Sequence, residues 1–303
     1  MSTTTTIVTQ GDRRIRRSSR RVEPIYYLFL LPVLALFTVA ITVPAIVGIF
    51  FSFTNSIGIG DWEFIGVTNY LAAFDDPAIL QSYLFTFGFS LVTVVLVNVV
   101  ALLLAVGLTS RIRFTTGLRA VFVIPMVVSG IIISYVFNFL FSNSLPEVGA
   151  ALGIDALSTS ILANPDLAWV AIVIVTAWQA IPSALLIYIA GLLSIPGEVY
   201  EAADIDGASK RQQLMRITLP LVAGYVVINI ILGFKNFLNA YDIIVGLTGG
   251  GPGTATRSVA MTIITGFNGG DYAYQMANAT IFFVVAILVA ALQLSVTRGR
   301  NSL

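Results

Sequence analysis

The chain has 303 residues, 57% of them hydrophobic and only 10% charged, with a mean hydropathy of +0.93 and a formal net charge of +1. An average soluble domain carries about 25% charged residues, so this chain lacks the polar surface to sit in water, and its length is counted in membrane spans. Cysteine and histidine are both absent; this excludes disulfides and thiolate chemistry, and weighs against an intramembrane hydrolase or a metal enzyme.

Residues 1–24 open with a threonine run and then carry Arg13, Arg14, Arg16, Arg17, Arg20 and Arg21. A disordered basic tail is expected there, resting on anionic headgroups. The apolar stretch 25–53 is too long for the hydrophobic region of a secretory signal, and no small-residue cleavage site follows it. Pro32 and Pro44 fall inside it, where a membrane helix tolerates proline. Further apolar runs at 84–108, 118–141, 167–193, 219–245 and 277–296 each reach the roughly 20 residues that cross ~30 Å of hydrocarbon. The expected fold is an all-α polytopic membrane protein with about six transmembrane helices. The tail occupies 1–24, the membrane domain 25–297 and a short C-terminal segment 298–303.

Charge placement gives the orientation. With the N terminus inside, the cytoplasmic segments are the tail, 109–117, 194–218 and 297–303. Together with Arg119 at the foot of the third span, they hold 14 of the 16 basic residues: the tail arginines, Arg111, Arg113, Arg119, Lys210, Arg211, Arg216, Arg298 and Arg300. The outer loops carry Arg257 against Asp61, Glu63, Asp75, Asp76, Glu147, Asp155, Asp166 and Asp271, and Lys235 lies in the fifth span. Such asymmetry predicts a multi-pass protein of a bacterial plasma membrane with both termini in the cytoplasm.

Between the fourth and fifth spans stands the most polar internal stretch, Glu198 to Pro220. Pro196 sits at a helix start, and Glu201, Ala202 and Ala203 are helix formers. Gly207 stands where a left-handed residue would end that helix. Ser209 with Gln212 matches a capping box, so a second short helix should begin there. A helix–turn–helix is expected, built to touch another protein.

The spacing Glu-Ala-Ala, three residues, Gly, nine residues, Ile, one residue, Leu-Pro is met by Glu201, Ala202, Ala203, Gly207, Ile217, Leu219 and Pro220. It resembles the EAA loop of the membrane-spanning subunits of binding-protein-dependent ABC importers. Two further signatures look like those of the carbohydrate-type permeases: Phe64-Ile65-Gly66-Val67-Thr68-Asn69-Tyr70, and Tyr241-Asp242-Ile243-Ile244 with Leu247-Thr248-Gly249-Gly250-Gly251-Pro252. The second is typical of the maltose-type first permease. The likeness covers about 25–296 and leaves out the basic tail.

The resemblance implies that the loop docks as a coupling helix into a cleft on a separate ATPase subunit. Glu201, Ala202, Ala203, Asp206, Gly207, Leu219 and Pro220 are then the coupling residues, with Glu201 accepting hydrogen bonds from the ATPase. It also implies a heterodimer with a second permease, two ATPase subunits that bind the ATP and Mg, and an extracytoplasmic solute-binding protein. The chain itself would hold no cofactor, no metal, no catalytic residue and no nucleic acid. Its cargo would be a sugar, a di- or oligosaccharide, moved inward by alternating access.

Two motifs point elsewhere and are set aside. Thr248 to Thr254 is glycine-rich but lacks the lysine of a phosphate-binding loop; an outer turn facing the solute-binding protein is the expectation. Asp61, Glu63, Asp75 and Asp76 could be taken for paired glycosidase carboxylates, yet they lie in a short outer loop as solvated charges.

Polar groups inside hydrocarbon should face a wet cavity or another helix. In the fourth span Thr176, Ala180 and Ser183 recur on one face beside Gln179. In the fifth, Gly233, Asn236, Phe237 and Ala240 form a similar stripe, joined by Asn229 and Asn239. Amides for hydroxyls and a ring for a pyranose face suit a sugar, and the family's intramembrane oligosaccharide site lies in the matching place. Ser129, on the third span after Pro125, is a further candidate from that comparison. The same residues also serve as glue between membrane helices. Lys235 and Asp242, seven apart, could share a face of the fifth span. Two alternatives stay open: a glycerol-phosphate cargo, which calls for buried cations, and an ion-coupled secondary transporter, which calls for repeats, broken helices and embedded acids.

Overall fold

The computed structural model describes residues 24–110 and 115–298. The basic tail with its six arginines, and likewise Arg111, Arg113 and Arg300, lie outside the described residues. The chain divides into two compact units, Met1–Val47 and Gly48–Leu303. In the first, α1 (Pro24–Phe37) carries Pro32 and passes through a π-helical turn, Thr38–Thr42, into α2 (Val43–Phe51). Residues 28–47 are apolar and none is buried.

The second unit begins with a loop pinned by one antiparallel bridge, Thr54 to Phe64. Asn69 closes it, its side-chain amide donating to the carbonyls of Ser52 (2.9 Å) and Thr54 (2.8 Å). That bond gives the Phe-Ile-Gly-Val-Thr-Asn-Tyr segment a local reason for its asparagine. The chain then forms α3 (Thr68–Asp75) and the long α4 (Pro77–Thr109), which Asp76 caps by accepting from the Ala78 amide. Next come α5 (Thr115–Val127), α6 (Gly130–Phe139), a π-helical turn at Leu140–Ser144 and α7 (Leu145–Ala151). The central α8 (Ala168–Leu193) follows. The polar stretch forms α9 (Gly197–Ile205), α10 (Lys210–Gln213), a π-helical turn at Leu214–Thr218 and α11 (Leu219–Leu221). A bend of 61° leads into α12 (Ala223–Leu238). The chain ends with α13 (Asp242–Thr248), α14 (Val259–Asn268) and α15 (Tyr272–Arg298).

Among the described residues, five helical stretches are long and apolar enough to cross a membrane: Leu28–Phe51, Pro77–Thr109, Gly130–Ala151, Ala168–Leu193 and Tyr272–Ser295. The bent pair Lys210–Leu221 and Ala223–Leu238 makes a sixth. The all-α expectation of about six spans is met, with two corrections. The run 118–141 is not one helix: it breaks at Val128–Ser129, and the long apolar helix starts only at Gly130. Pro125 offers no amide to the turn before it, and Ser129 adopts φ −59°, ψ 137°. The run 219–245 likewise breaks after Leu238, where Tyr241 adopts φ −137°, ψ −61°. Asn239 turns its side chain back onto the Lys235 carbonyl (2.8 Å), a local bond that competes with the helix ladder. Lys235 and Asp242 therefore stand on different helices and do not pair; among the described residues the one ion pair is Lys210–Asp204.

The core is the contact of α4 with α8, which run parallel, so that Tyr188 on one donates to Asn98 on the other. Alanines face this seam at 101, 105, 177 and 184 and let the two backbones approach. Two glycines make still closer crossings. A Cβ at Gly191 would lie 2.6 Å from the Tyr225 ring, joining α8 to α12. At Gly246 it would lie 1.7 Å from the Ser134 hydroxyl, joining α13 to α6. Overfilling such a contact costs about 1–3 kcal/mol. Gly246→Ala is therefore expected to lower the thermal midpoint of the detergent-solubilised protein, while Gly224→Ala, where nothing lies within 4 Å of the added carbon, leaves it unchanged or slightly higher.

Candidate functional site

The two helix breaks meet. Gly130 at the start of α6 faces α13 and α8: a Cβ there would lie 3.5 Å from the Gln179 side-chain oxygen and 3.8 Å from the Cβ of Asp242. Breaking α5 from α6 frees the carbonyl of Val128, and Gln179 donates its amide to that oxygen at 2.9 Å. The breaks open a cavity of about 380 Å³. Thr176, Gln179 and Ala180 of α8 form one wall; Asn236, Phe237, Asn239 and Ala240 form another. A smaller cavity of about 100 Å³ adjoins it, sharing Ala180, Asn236 and Phe237 and adding Ser183, Gly233, Asn98 and Asn229. Every residue expected on the path therefore lines one cavity or the other, except Ser129. That residue lines neither; its carbonyl accepts from the Ile133 amide at 3.0 Å and so starts α6.

Polar capacity on these walls is partly committed. Gln179 and Asn239 each spend one amide proton on a backbone carbonyl, and Asn229 donates to the Ala184 carbonyl at 3.2 Å. Among the described residues, the Asn236 side chain makes no hydrogen bond and the buried hydroxyl of Thr176 has no partner. Phe237 offers less than its ring: it is 6% exposed and packs edge-on against Phe89 at 6.3 Å. Tyr241, half-buried on the larger cavity, is the ring that sequence reasoning missed, along with Met126, Gly130, Asp242 and Ile243. The aromatic-acid pair Tyr241-Asp242 shortly after Asn236 and Asn239 was the available signal.

The polar stretch folds as expected and is tied together more firmly than expected. Gly207 has φ +73°, and the Ala208 amide reaches back to the Ala203 carbonyl at 2.9 Å. Ser209 and Gln212 form both bonds of the capping box. Beneath the turn, Asp204 accepts from Lys210 (3.0 Å) and from Gln213, which is 3% exposed and also donates to the Ala208 carbonyl. Tyr200 shares a 2.9 Å hydroxyl bond with Thr218 in the π-helical turn. Glu201, Ala202, Asp206 and Gly207 face outward together with Ile205, which is 87% exposed. Ala203 points inward at 7% exposure, Leu219 is half-buried and Pro220 is exposed on α11. The sequence pattern had not marked Tyr200, Gln213 or Thr218. At this same foot, Arg119 donates to the Leu108 carbonyl at 3.0 Å and ties α5 to the end of α4.

The glycine-rich turn after α13 closes on itself. Gly249 caps α13 in the left-handed region at φ +59°, and Thr256 bridges Thr248 (2.8 Å) and the Gly251 carbonyl (2.6 Å). Asp76, once a candidate acid, is occupied in capping α4 and accepting from Tyr274 at 3.0 Å.

Residues 98–300, which contain the clamped foot, most of the cavity walls and the glycine turn, match the family described as binding-protein-dependent transport system inner membrane component. The chain belongs to that family. This inner membrane component is accordingly a multi-pass membrane protein. It is 32% identical over 91% of its length to the probable starch degradation products transport system permease protein AmyD of Thermoanaerobacterium thermosulfurigenes, covering 94% of that protein. It is 34% identical over 90% of its length to the multiple sugar-binding transport system permease protein MsmF of Streptococcus mutans, again covering 94%. A crystal structure of a bacterial ABC transporter involved in the import of the acidic polysaccharide alginate superposes with a TM-score of 0.80 at 19% identity, over 90% of this chain and 95% of that one, and shows a shared fold.

Two outcomes follow from this geometry. Gln179→Leu strands the Val128 carbonyl and should cost about 1–3 kcal/mol, read as a drop in the denaturation midpoint in detergent. Lys210 and then Gln213 hold the Asp204 carboxyl below its ordinary value of 3.8. A lowered folded-state value means that the clamp stabilises at every pH above the ordinary carboxylate range and is lost as pH falls through the lowered value. Amide protection of residues 204–213, corrected for intrinsic exchange, should therefore stay level near neutrality and fall only in strong acid. Asp204→Asn should show the acid-state protection already at neutral pH.

Proposed function

We propose that this chain is one permease subunit of an ATP-driven importer that carries a sugar into the cytoplasm. The observation that carries the reading is the cavity between the two broken helices. Its volume of about 380 Å³ falls within the roughly 300–1,000 Å³ of small-molecule sites, and it holds an unpaired amide, an unpaired hydroxyl and an accessible aromatic ring. Hydroxyl groups on a pyranose would engage the amides of Asn236, Asn239 and Gln179, and the sugar face would lie on Tyr241. The relatives' names, starch degradation products and multiple sugars, agree with that chemistry.

The chain supplies binding and movement and leaves the energy to other subunits. The outward face of α9, with Glu201, Ala202, Ile205 and Asp206, is the docking surface for one of two ATPase copies, which hold the ATP and Mg. A second permease completes the translocation path as a heterodimer. The end that carries the glycine turn receives the solute-binding protein, and both termini lie in the cytoplasm with the foot. A stroke on α9 passes through the Asp204–Lys210–Gln213 clamp and the Tyr200–Thr218 bond into α11, round the 61° bend and up α12. Asn236 and Phe237 stand near the far end of that helix, so the same motion reshapes the cavity wall and exposes it to alternate sides.

A glycerol-phosphate cargo is not favoured, because among the described residues no Lys or Arg, Lys235 included, lines either cavity. Broken helices are present, as an ion-coupled transporter would require, but they come with a coupling foot of the importer family.

Uptake and ATP hydrolysis, measured together on the assembled importer in proteoliposomes, test the reading. Glu201→Ala removes the acceptor offered to the ATPase. Gly207→Val places a branched residue at positive φ, where even an ordinary residue is strained by about 1–2 kcal/mol. Both are expected to cut uptake at least tenfold while hydrolysis and membrane insertion persist. Normal uptake by both variants would remove the docking assignment.

A further inference from the structure

We propose that Asp242 is the specificity-determining charge of the path: it admits neutral, hydroxyl-rich sugars and turns back anionic ones such as uronates and sugar phosphates. The inference rests on the reading that cargo passes through the cavity, and it adds the charge class of that cargo. Among the described residues lining the two cavities, Asp242 is the one charged side chain. It is the first residue of α13, placed beside the opening by the break at Asn239–Tyr241, and its side chain is exposed to the cavity. No hydrogen bond or ion pair with a described residue engages its carboxylate.

The first turn of α13 favours a negative charge at Asp242 and fixes it there. An ionisable group that faces a cavity inside a membrane domain without a side-chain partner is a candidate for function. The carboxylates this chain uses in its folding are engaged: Asp76 caps α4 and Asp204 pairs with Lys210. The wall around Asp242 also lacks what an anion needs. Gln179 and Asn239 each have an amide proton committed to backbone, and their free oxygens accept. Gln179 and Asn239 keep one amide proton each, and Thr176 and Asn236 have theirs uncommitted, so the donors on this wall are neutral ones. A hydroxyl entering here finds a charge-assisted acceptor, which is stronger than a neutral one. A carboxylate or phosphate finds a like charge and, among the described residues lining the cavity, no cation to offset it. Gly130, opposite, leaves the carboxylate uncovered, since any side chain there would sit between Gln179 and Asp242. The same fold serves an acidic polysaccharide in the alginate importer, so the backbone does not dictate cargo charge and a wall residue can.

Calorimetric titration of the assembled importer in lipid nanodiscs, without its solute-binding protein, isolates the cavity from the selection made upstream. The probes are maltose, trehalose and sucrose, each beside a derivative carrying one carboxylate. For a neutral sugar that binds, the wild type should hold it at least tenfold tighter than its carboxylated partner. Asp242→Asn should shrink that ratio to within threefold, and Asp242→Lys should invert it. The ratio is taken within one sample, so a partly folded variant does not distort it, and Asp242→Ser serves should the asparagine variant fail to assemble. An unchanged ratio in the variants, or equal binding by the wild type, overturns the role of Asp242 alone. Failure of every sugar to bind the wild type overturns the cavity as a cargo site, and this inference with it.

Discussion

Backbone hydrogen bonding is the constraint on which the rest of the structure depends. In hydrocarbon a free carbonyl or amide cannot turn to water, so a spanning helix may be interrupted only where protein or a wet cavity meets the exposed groups. This chain interrupts two helices and brings the breaks to one place. The Gln179 amide on the Val128 carbonyl is the most visible consequence, a side chain on a continuous helix completing a discontinuous neighbour. Asn239 on the Lys235 carbonyl does the same within its own helix. Irregular backbone, the opening and its polar lining are thus one feature.

The foot obeys a different rule, because α9 and α10 are short and polar and an isolated helix of such length is marginal. What holds them is local: a glycine in the left-handed region, a two-way capping box, and a carboxylate shared by a lysine and a buried glutamine. The outward face is left for contact, and the inward face, through Ala203 and Gln213, is closed. A rigid short element on the end of a long helix transmits displacement without absorbing it.

These two regions differ in how far the sequence disclosed them. The foot was legible because its signals are local: Gly207, Ser209 with Gln212 and the Glu-Ala-Ala spacing each act within a few residues. The breaks were not, because a hydropathy window averages over some twenty residues and does not register one extended serine or one turned tyrosine. The asparagine and glutamine that polarity singles out on α8 and α12 line the cavities. What they could not tell was which amide protons the backbone would claim. Ser129 lines neither cavity because the break makes it the start of α6. Phe237 was overvalued because a ring on the right face may still be covered, here by Phe89. Asp242 was read through a partner, Lys235, that the break removes.

The crossing of α8 and α12 at Gly191 carries a mechanical meaning. With the Tyr225 ring seated where a side chain would be, close packing resists sliding there and leaves tilting as the freer motion of α12. Tyr225 lies close to the bend, and Asn236 is eleven residues further on, about 16 Å at the rise of an α-helix. That contact is thus a fulcrum with a short arm towards the foot and a long arm towards the opening. A small push below becomes a larger swing above, in the opposite sense.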